Sequence, residues 1–345
     1  METPLNTKTL TTRAGRSLTF TELGTGTAPL GNLYNPIDEA TAQATLDAAF
    51  AAGSRYFDTA PLYGFGLSER RVGTFWRMRR PEGALLSTKA GRLLKRGERD
   101  PSLQPAQWFD VPAREIEYDY TYDGIMRSFE FSLERLGVDR IDILYCHDMD
   151  IWTHGSREAM MACVEAYLDS GHRAFVELRD SGAIDAFGLG VNEWEVCQYV
   201  GERAEIDLFL LAGRYTLLEQ EALTTMLPMC EEQGIGVVIG GPYNSGILAT
   251  GAVEGAHFDY KPAPPAILDR VRRIEAVCAR HGVALRDAAL RFPLCHPAVM
   301  CVIPGGVKPE EIAGSAASLS AEIPAALWQD LKREGLLRED APVPA

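Results

Sequence analysis

Four side chains able to exchange protons lie at or just beyond the ends of short apolar runs. Asp58 ends the run YFD, Tyr63 follows it by five residues, and Lys89 and His147 end the runs LLSTK and ILYCH. A free tyrosine loses its proton at about pH 10, and a neighbouring ammonium group favours the phenolate and lowers that value. These residue types suit proton transfer at a carbonyl or alcohol oxygen while hydride moves at the adjacent carbon.

Each of the four also has an ordinary structural interpretation when it is taken alone. Asp58 could cap a turn, Tyr63 with the following glycine could form one, Lys89 could be solvated, and His147 could be a satisfied core residue. We favour the functional interpretation because the set recurs at consecutive strand ends. In it, Asp58 holds Lys89 charged and in place, and His147 orients a substrate oxygen.

The scaffold for these residues is a pattern that repeats over residues 25–320, in which an apolar run, a polar loop and a helical stretch follow one another. Continuous apolar runs are typical of parallel strands covered on both faces. The predicted strands are 25–31, 55–59, 84–89, 141–147, 186–192, 208–214, 236–243 and 299–304. The predicted helices are 39–52, 68–77, 122–136, 171–181, 193–203, 220–233, 266–281 and 309–317.

This alternation predicts a (β/α)8 TIM barrel, in which the ends of the strands carry the chemistry. A doubly wound sheet is the alternative. We favour the barrel because the strand–helix units are too many for one such sheet, and no break in composition divides them into two domains. A β-hairpin at 9–12 and 17–20 precedes the barrel, and a further helix at 323–336 follows it. Long connections follow Lys89 and His147, and we expect both to form substrate walls, the second with room for a short helix.

Composition narrows the possible partners of the chain. We expect one domain over residues 1–345, and the formal net charge of −14 argues against a nucleic-acid partner. The seven scattered cysteines form no C-x-x-C pair, which argues against a disulfide framework and structural zinc. No stretch approaches about 18 apolar residues, and the first residues lack a secretion signal. We therefore expect a cytoplasmic protein with a small-molecule substrate, no membrane partner and an open oligomeric state.

The segments FDTAPLYGFGLSERRVG, STKAG and VIPGGVKPEEI resemble the aldo-keto reductase superfamily, and the resemblance spans residues 18–336. In that family an N-terminal hairpin caps the bottom of the barrel. EYDYTYDGIMRSFEFSLERLG, GLGVNEW, LLAGRYTLLEQ and PYNSGIL resemble its D-threo-aldose 1-dehydrogenase and pyridoxal 4-dehydrogenase branch. The resemblance implies that Tyr63 is the general acid–base, Lys89 its pKa partner, Asp58 the support and His147 the substrate-orienting group.

The resemblance also implies an NAD(P) cofactor bound without a Rossmann fingerprint, since Gly24-x-Gly26 lacks the third glycine. Tyr243 matches a tyrosine that stacks on the nicotinamide, and the following backbone would track the pyrophosphate. Asn192, with or without Glu193, would hold the nicotinamide amide, and Ala212 replaces a glutamine common in the wider family. The remaining cofactor residues expected along the chain are Asn244, Gly246, Leu248, Gly305, Gly306, Lys308, Glu311 and Ser315.

Two positions favour NAD over NADP. Relatives specific for NADP place cations where this chain has Gly305 and Glu311, and a carboxylate would repel a 2′-phosphate but accept hydrogen bonds from a ribose diol. Lys308 could partly compensate, so NADP stays possible. A metal site is not expected, although His147 and His154 in one loop leave a metalloenzyme as a third interpretation.

The first barrel loop, with Leu30, Leu33 and Tyr34, and the loop containing Asp148, Asp150 and Trp152 are the expected substrate walls. We predict oxidation of the ring hydroxyl of a cyclic hemiacetal to a lactone, with an L-fucose-type aldose as substrate. Pyridoxal, which has the same kind of hemiacetal, is the first alternative. A general aldehyde or ketone reductase and a non-catalytic NAD(P)-binding regulatory subunit are the others.

Overall fold

The computed structural model describes residues 5–97 and 108–344. Its strands are β1 Thr7–Thr11, β2 Ser17–Thr21, β3 Thr25–Gly26, β4 Tyr56–Asp58, β5 Leu85–Ala90, β6 Arg92–Arg96, β7 Arg114–Tyr118, β8 Ile143–His147, β9 Ala186–Val191, β10 Leu208–Ala212, β11 Gly236–Gly240, β12 His257–Phe258, β13 Lys261–Pro262 and β14 Val299–Ile303. Its helices are α1 Glu39–Ala51, α2 Leu67–Arg79, α3 Tyr122–Leu136, α4 Ile151–His154, α5 Arg157–Ala166, α6 His172–Asp180, α7 Trp194–Gly201, α8 Met226–Gln233, α9 Ile247–Thr250, α10 Pro265–Arg280, α11 Leu285–Arg291, α12 Pro309–Ser320 and α13 Ala325–Arg333.

Eight of these strands form one parallel sheet in the order β14-β11-β10-β9-β8-β5-β4-β3. Parallel bridges from Leu23 to Val302 and from Gly26 to Gly305 join its two edges, so the sheet forms a nearly closed barrel. The helices flank the barrel and bury the outer faces of its strands in the main hydrophobic core. The predicted TIM barrel is confirmed.

The predicted hairpin is also present, as β1 and β2 paired antiparallel. Leu10, Leu18 and Phe20 of this hairpin belong to one buried cluster with Ile143 and Tyr145 of β8, inside the barrel. The hairpin therefore closes the end of the barrel where the strands begin. The opposite end, where the strands stop, stays available for a site.

Helix boundaries follow the capping residues of the sequence. Asp38 accepts a hydrogen bond from the backbone nitrogen of Thr41 at 2.7 Å, and α1 begins at the next residue. Gly137 ends α3 with a φ of 65°, a left-handed conformation that glycine adopts without steric cost. The bounds of α3 agree with the prediction of 122–136. No helix within residues 5–97 or 108–344 is both long and apolar enough to cross a membrane.

The connection after Lys89 differs from its predicted form. It is not only a loop, because β6 and β7 pair antiparallel from Arg92–Tyr118 to Arg96–Arg114 and form an arm beside the barrel mouth. Trp108, near the end of this connection, forms a bridge with Leu33. Residues 98–107 of the predicted wall lie outside the described residues.

Three further differences concern the loops at the barrel mouth. The predicted first strand, 25–31, ends after two residues, because Pro29–Gly31 form a 3-10 turn. The connection after His147 holds two helices, α4 and α5, and a π-turn that joins α5 to α6. The prediction also missed α11 and the small β12–β13 hairpin.

Candidate active site

A cavity of about 390 Å³ opens at the C-terminal ends of the barrel strands, and Tyr63, Lys89 and His147 all line it. Parallel pairing brings these residues together: Asp58 lies opposite Ser87 in the sheet, two residues before Lys89. His147, the last residue of β8, extends the same row of strand ends. The structure therefore gathers at one mouth the four side chains that the sequence separates by up to 89 positions (147 − 58).

Asp58 and Lys89 form a buried ion pair behind the cavity wall. Lys89 Nζ donates to Asp58 Oδ2 at 2.6 Å and to the carbonyl of Thr59 at 2.9 Å, and both charged side chains are at most 2% exposed. Burial raises the pKa of Asp58, while the Lys89 charge and the hydroxyl of Ser87 oppose that rise. The pair fixes the Lys89 ammonium group next to Tyr63.

A chain of hydroxyl groups supports Asp58 from inside the barrel. Ser87 Oγ donates to Asp58 Oδ1 at 2.7 Å, and Tyr56 Oη lies 2.8 Å from Ser87 Oγ and 3.0 Å from Tyr145 Oη. Each of these side chains is completely buried. The carboxylate of Asp58 thus has a partner on both oxygens, as a buried charge requires.

Tyr63 lies between Lys89 and the aromatic wall of the cavity. Lys89 Nζ is 4.7 Å from the centre of its ring, and the Trp108 ring stacks on it with centroids 6.2 Å apart. Burial raises the pKa of Tyr63 well above 10, and the charges of Asp58 and Asp148 raise it further. The predicted lowering of this pKa by Lys89 is not seen, because burial raises the pKa and Asp58 offsets the ammonium charge at 2.6 Å.

His147 is neutral in this environment. Burial lowers its pKa well below 6.5, and the charges of Arg92 and Lys89 act in the same direction. The ring meets the Tyr63 ring edge to face with centroids 6.1 Å apart. Tyr63 and His147 can therefore approach one substrate oxygen together, one as a phenol and the other as a neutral imidazole.

Arg92 and Asp148 form a second buried ion pair at the cavity, through Arg92 Nη2 and Asp148 Oδ2. Burial raises the pKa of Asp148 to about 7, against the lowering effects of Arg92 and Lys89. Arg92 was not among the predicted site residues, because β6 and β7 were predicted as loop. RLLKR does not alternate and both segments are short and charged, so the sequence offered no clear strand signal here.

The two predicted amide-binding residues lie in different environments. Asn192 lines the cavity, and its amide donates to Asp148 Oδ1 and Asp150 Oδ2, both at 3.1 Å. Glu193 turns away, and its two carboxylate oxygens accept from the backbone nitrogens of Ile151 and Trp152 at the start of α4. Both carboxylate oxygens of Glu193 are thus engaged at the start of α4, and its contact with the nicotinamide stays a prediction.

The structure does not bring Tyr243 to the cavity. Its ring is half-buried against the main core, so the predicted stacking on the nicotinamide lacks support. Leu248 is completely buried in the same core. The amide of Asn244 bonds Thr216 and Gly213, and Gly246 precedes α9 with a φ of 97°.

A small cleft lies next to the cavity and shares Trp152, Asn192, Ala212 and Tyr260 with it. Its volume is about 30 Å³, and Gly213 and Gly241 also line it. Ala212, at the position where the wider family has a glutamine, therefore lines both spaces. The cleft alone holds only a few water molecules, so a bound aromatic ring would need space from the cavity as well.

The residues predicted for the adenine end surround the loop after β14. The carboxylate of Glu311 accepts from the backbone nitrogen of Val307 at 2.8 Å, and Ser315 Oγ donates to the carbonyl of Glu311. Lys308 and Gly305 are exposed, whereas Gly306 is buried against Ile312 and Glu311. Glu311 remains exposed, so its negative charge still faces this end of the fold.

Two of the three predicted substrate residues lie elsewhere. Leu30 is completely buried in the main core, because the 3-10 turn folds it beneath the loop. Tyr34 is exposed beside His257, outside the cavity. Trp152 does line the cavity, with Tyr260 at 6.4 Å between ring centroids. Leu33, also expected in the first barrel loop, does line the cavity, and the lining residues that were not predicted by name include Leu62, Trp108, Tyr118 and Tyr260.

Nothing within the described residues assembles a metal site: no group of three or more His, Cys, Asp or Glu side chains there could hold an ion. His154 instead bonds Tyr120 Oη at 3.1 Å and lies 3.7 Å from Cys163 Sγ. All seven cysteines are free thiols.

Comparison with known proteins places this constellation in a family. The family model for the aldo/keto reductases matches residues 22–333. The chain belongs to the aldo/keto reductase family. Members of this family are oxidoreductases that use NAD or NADP.

Two curated relatives match almost the whole chain. A pyridoxal 4-dehydrogenase from Microbacterium luteolum is 42% identical over 331 residues, covering 93% of this chain and 95% of the relative. A D-threo-aldose 1-dehydrogenase from a Pseudomonas species is 40% identical over 328 residues, covering 94% and 97%. Among solved structures, a glycerol dehydrogenase from Gluconobacter oxydans has a TM-score of 0.73 at 22% identity, with 98% and 99% covered, and supports the fold alone.

Proposed function

We propose that this protein oxidises the ring hydroxyl of a cyclic hemiacetal to a lactone, with an L-fucose-type aldose as substrate and NAD as the preferred cofactor. The observation that carries the proposal is the meeting of Tyr63, Lys89 and His147 on one cavity wall, with Asp58 paired to Lys89 behind it. Both curated relatives are named as dehydrogenases of compounds that form such hemiacetals.

In this proposal the substrate hydroxyl lies between Tyr63 Oη and His147 Nε2. The cofactor, when bound, supplies the acceptor for the hydride that leaves the ring carbon. Tyr63 takes the hydroxyl proton during oxidation and returns it during reduction. Because burial raises the pKa of Tyr63, the phenol predominates at neutral pH, and the phenolate that oxidation requires becomes more abundant as pH rises.

The chemistry of the residues shared by the cavity and the cleft suits a nicotinamide. The two amide hydrogens of Asn192 already bond Asp148 and Asp150, which leaves its Oδ1 as the acceptor for a carboxamide N–H. Trp152 and Tyr260 line both spaces and offer aromatic surfaces to the ring.

Preference for NAD rests on charge at the adenine end. Glu311 places an exposed carboxylate there, and a 2′-phosphate would be repelled by it. A ribose diol has no such conflict, although Lys308 at the start of α12 supplies one compensating charge.

Pyridoxal is the second candidate substrate, and a specific feature supports it. Trp108 stacks on Tyr63, and Trp152 lies across the cavity, so an aromatic ring could be held between flat surfaces. In contrast, Arg92 and Asp148 offer hydrogen bonds suited to the hydroxyl groups of a sugar. This polar wall is the reason that we place the aldose first.

The test is an activity panel with purified protein. L-Fucose, D-arabinose, L-galactose and pyridoxal are each incubated with NAD and then with NADP, and reduced cofactor is followed by absorbance. We expect reduction of NAD with at least one sugar. Turnover of pyridoxal alone would select the second candidate, and turnover only of added aldehydes or ketones with reduced cofactor would indicate a general reductase. Cofactor binding with no turnover of any compound would support the regulatory subunit.

A further inference from the structure

The carboxylate of Asp148 lines the cavity but takes no part in the proton transfer proposed above. Asp148 directly follows His147 and has a left-handed backbone with a φ of 50°, which is uncommon outside glycine. The turn is braced, because Asp148 N donates to the carbonyl of Gly190 and Tyr120 Oη donates to the carbonyls of His147 and Asp148. This conformation brings the carboxylate back beside the imidazole of the preceding residue.

Three side chains converge on this carboxylate. Asp148 Oδ2 contacts Arg92 Nη2 and lies 3.2 Å from His147 Nε2. Asp148 Oδ1 accepts from Asn192 Nδ2 at 3.1 Å. One carboxylate thus touches both the proposed substrate-orienting imidazole and the proposed nicotinamide-binding amide.

The Asp148 carboxylate affects which tautomer the neutral His147 ring adopts. A neutral imidazole carries one N–H, and the surroundings of its two nitrogens decide which nitrogen holds it. His147 Nδ1 is buried and has no hydrogen-bond partner among the described residues, whereas Nε2 faces the carboxylate. Once Asp148 is ionised, a bare lone pair at Nε2 would be repelled by its carboxylate, so the proton belongs on Nε2. Because Nδ1 is buried and His147 lines the cavity, Nε2 is also the nitrogen left to meet a substrate.

For Asn192 the consequence is the orientation of its amide. Its Nδ2 donates to Asp148 Oδ1 and to Asp150 Oδ2, both at 3.1 Å. Two carboxylate acceptors can only be served by the two N–H groups, so the amide cannot rotate to exchange its nitrogen and oxygen. The Oδ1 atom is therefore held ready as an acceptor.

We infer that Asp148, anchored by Arg92, is a positioning residue that keeps the proton of His147 on Nε2 and the amide oxygen of Asn192 available to the cofactor. The roles of His147 and Asn192 belong to the function proposed above, on which this inference rests. A purely structural role, in which Arg92 and Asp148 only tie β6 to the loop after β8, is the alternative. The two differ in what happens to the imidazole when the carboxylate is removed.

The direct test is the tautomer of His147, read by long-range proton–nitrogen NMR on 15N-labelled protein. The chain has six histidines, so the signal can be assigned with a His147→Gln variant. Spectra are recorded at about pH 8, where a carboxyl of ordinary or moderately raised pKa is ionised. We expect the Nε2–H pattern in the wild type and a shift towards Nδ1–H in Asp148→Asn. A wild type with Nδ1–H would overturn the inference without any variant, and so would an unchanged pattern in Asp148→Asn.

Kinetics with the substrate found by the activity panel supply the second readout. Asp148→Asn should lower kcat by about tenfold or more, because a misplaced imidazole proton weakens contact with the substrate oxygen. It should also raise the Kd for NAD by about threefold to tenfold, the effect of one disturbed hydrogen bond. Arg92→Met should produce a similar loss, and the double variant should lose little more than either single one, because both act through the same carboxylate. Fully additive losses would overturn the inference.

The matched control is Asp185→Asn, which removes another arginine-paired carboxylate at the start of β9, paired with Arg16 and Arg140. It should leave the His147 pattern and the kinetics unchanged. Thermal unfolding of each variant separates loss of fold from loss of position. Because the tautomer is measured without substrate or cofactor, its outcome is independent of whether the proposed dehydrogenase activity is found.

Discussion

The two sides of the barrel mouth are built in different ways. On the side of β4, β5 and β8, the functional side chains stand on or next to strands, and buried partners fix them, as Asp58 fixes Lys89 at 2.6 Å. On the side of β9 to β14, the surfaces are loops and exposed backbone, with Asn244, Ser245 and Gly246 all at positive φ. Proton transfer requires groups that are placed and charged in advance, whereas a cofactor can be held by shape and backbone contacts. We call the side of β4, β5 and β8, where buried partners hold the side chains, the chemical wall. We call the side of β9 to β14, which is built from loops and backbone, the binding wall.

Removal of Lys89 should break the chemical wall and produce the largest effect. Lys89→Met leaves Asp58 buried without its cation, which should cost about 3–5 kcal/mol of unfolding free energy and nearly abolish turnover. Denaturant unfolding and steady-state rates measure the two losses. Lys8→Met is the matched control at the other end of the barrel, where Lys8 Nζ donates to the carbonyls of Leu294, His296 and Val299. The control should lose stability but keep its kinetics, and equal loss of activity in both variants would contradict the account.

The pH dependence of the oxidation rate should also depend on the chemical wall, through Tyr63. Since burial raises the pKa of Tyr63 well above its ordinary value, the phenolate needed for oxidation is scarce at neutral pH. We expect the oxidation rate to climb as pH rises from 7 towards 10, by up to about tenfold per unit. The reduction rate should not climb in this range. An oxidation rate that is flat or falls with pH would place the proton acceptor elsewhere.

The binding wall should respond less strongly. Glu311→Lys replaces a negative charge by a positive one at the exposed adenine end, so the ratio of kcat/KM for NADP to that for NAD should rise by about threefold to tenfold. Glu310→Lys makes the same change of charge one residue away on α12 and should shift the ratio less. If the two variants behave alike, the effect is one of net charge rather than of a contact at Glu311.

Trp152 offers the smallest test of the comparison, because its side chain is 36% exposed at the rim of the cavity. Trp152→Ala should raise KM for the substrate by about threefold to tenfold with little change in kcat, as expected for a contact of equal strength in the ground and transition states. Phe131→Ala, an exposed aromatic on α3, should leave both constants unchanged. A large fall in kcat for Trp152→Ala would assign this ring to the chemical step.

The success of the sequence-based predictions also differs between the barrel strands and the loops. Continuous apolar runs such as GVVIG predicted the barrel strands, and residues that end them, such as Asp58 and His147, could be placed at one mouth without coordinates. The loops could not be placed in this way. Leu30 was expected in the substrate wall, but a 3-10 turn buries it. Tyr243 is half-buried against the core, and its stacking on the nicotinamide stays a prediction.

The β6–β7 arm, which was not predicted, shows why loop structure is difficult to predict from the sequence. Its strands RLLKR and REIEY are short, charged and separated by 17 residues (97–113), so neither the apolar pattern nor a hairpin turn marks them. The partners that define the arm are distant in sequence: Arg92 pairs with Asp148. Contacts of this kind arise from tertiary structure and are absent from any local pattern.

The central claim is that Tyr63 transfers the proton while a nicotinamide takes the hydride. The most direct measurement compares the rate of reduced-cofactor formation in the wild type, in Tyr63→Phe and in Tyr199→Phe, a control tyrosine on α7 away from the cavity. The account predicts that Tyr63→Phe loses about 10²-fold to 10⁴-fold in kcat while NAD binding and the control stay normal. A Tyr63→Phe variant that turns over like the wild type would contradict it.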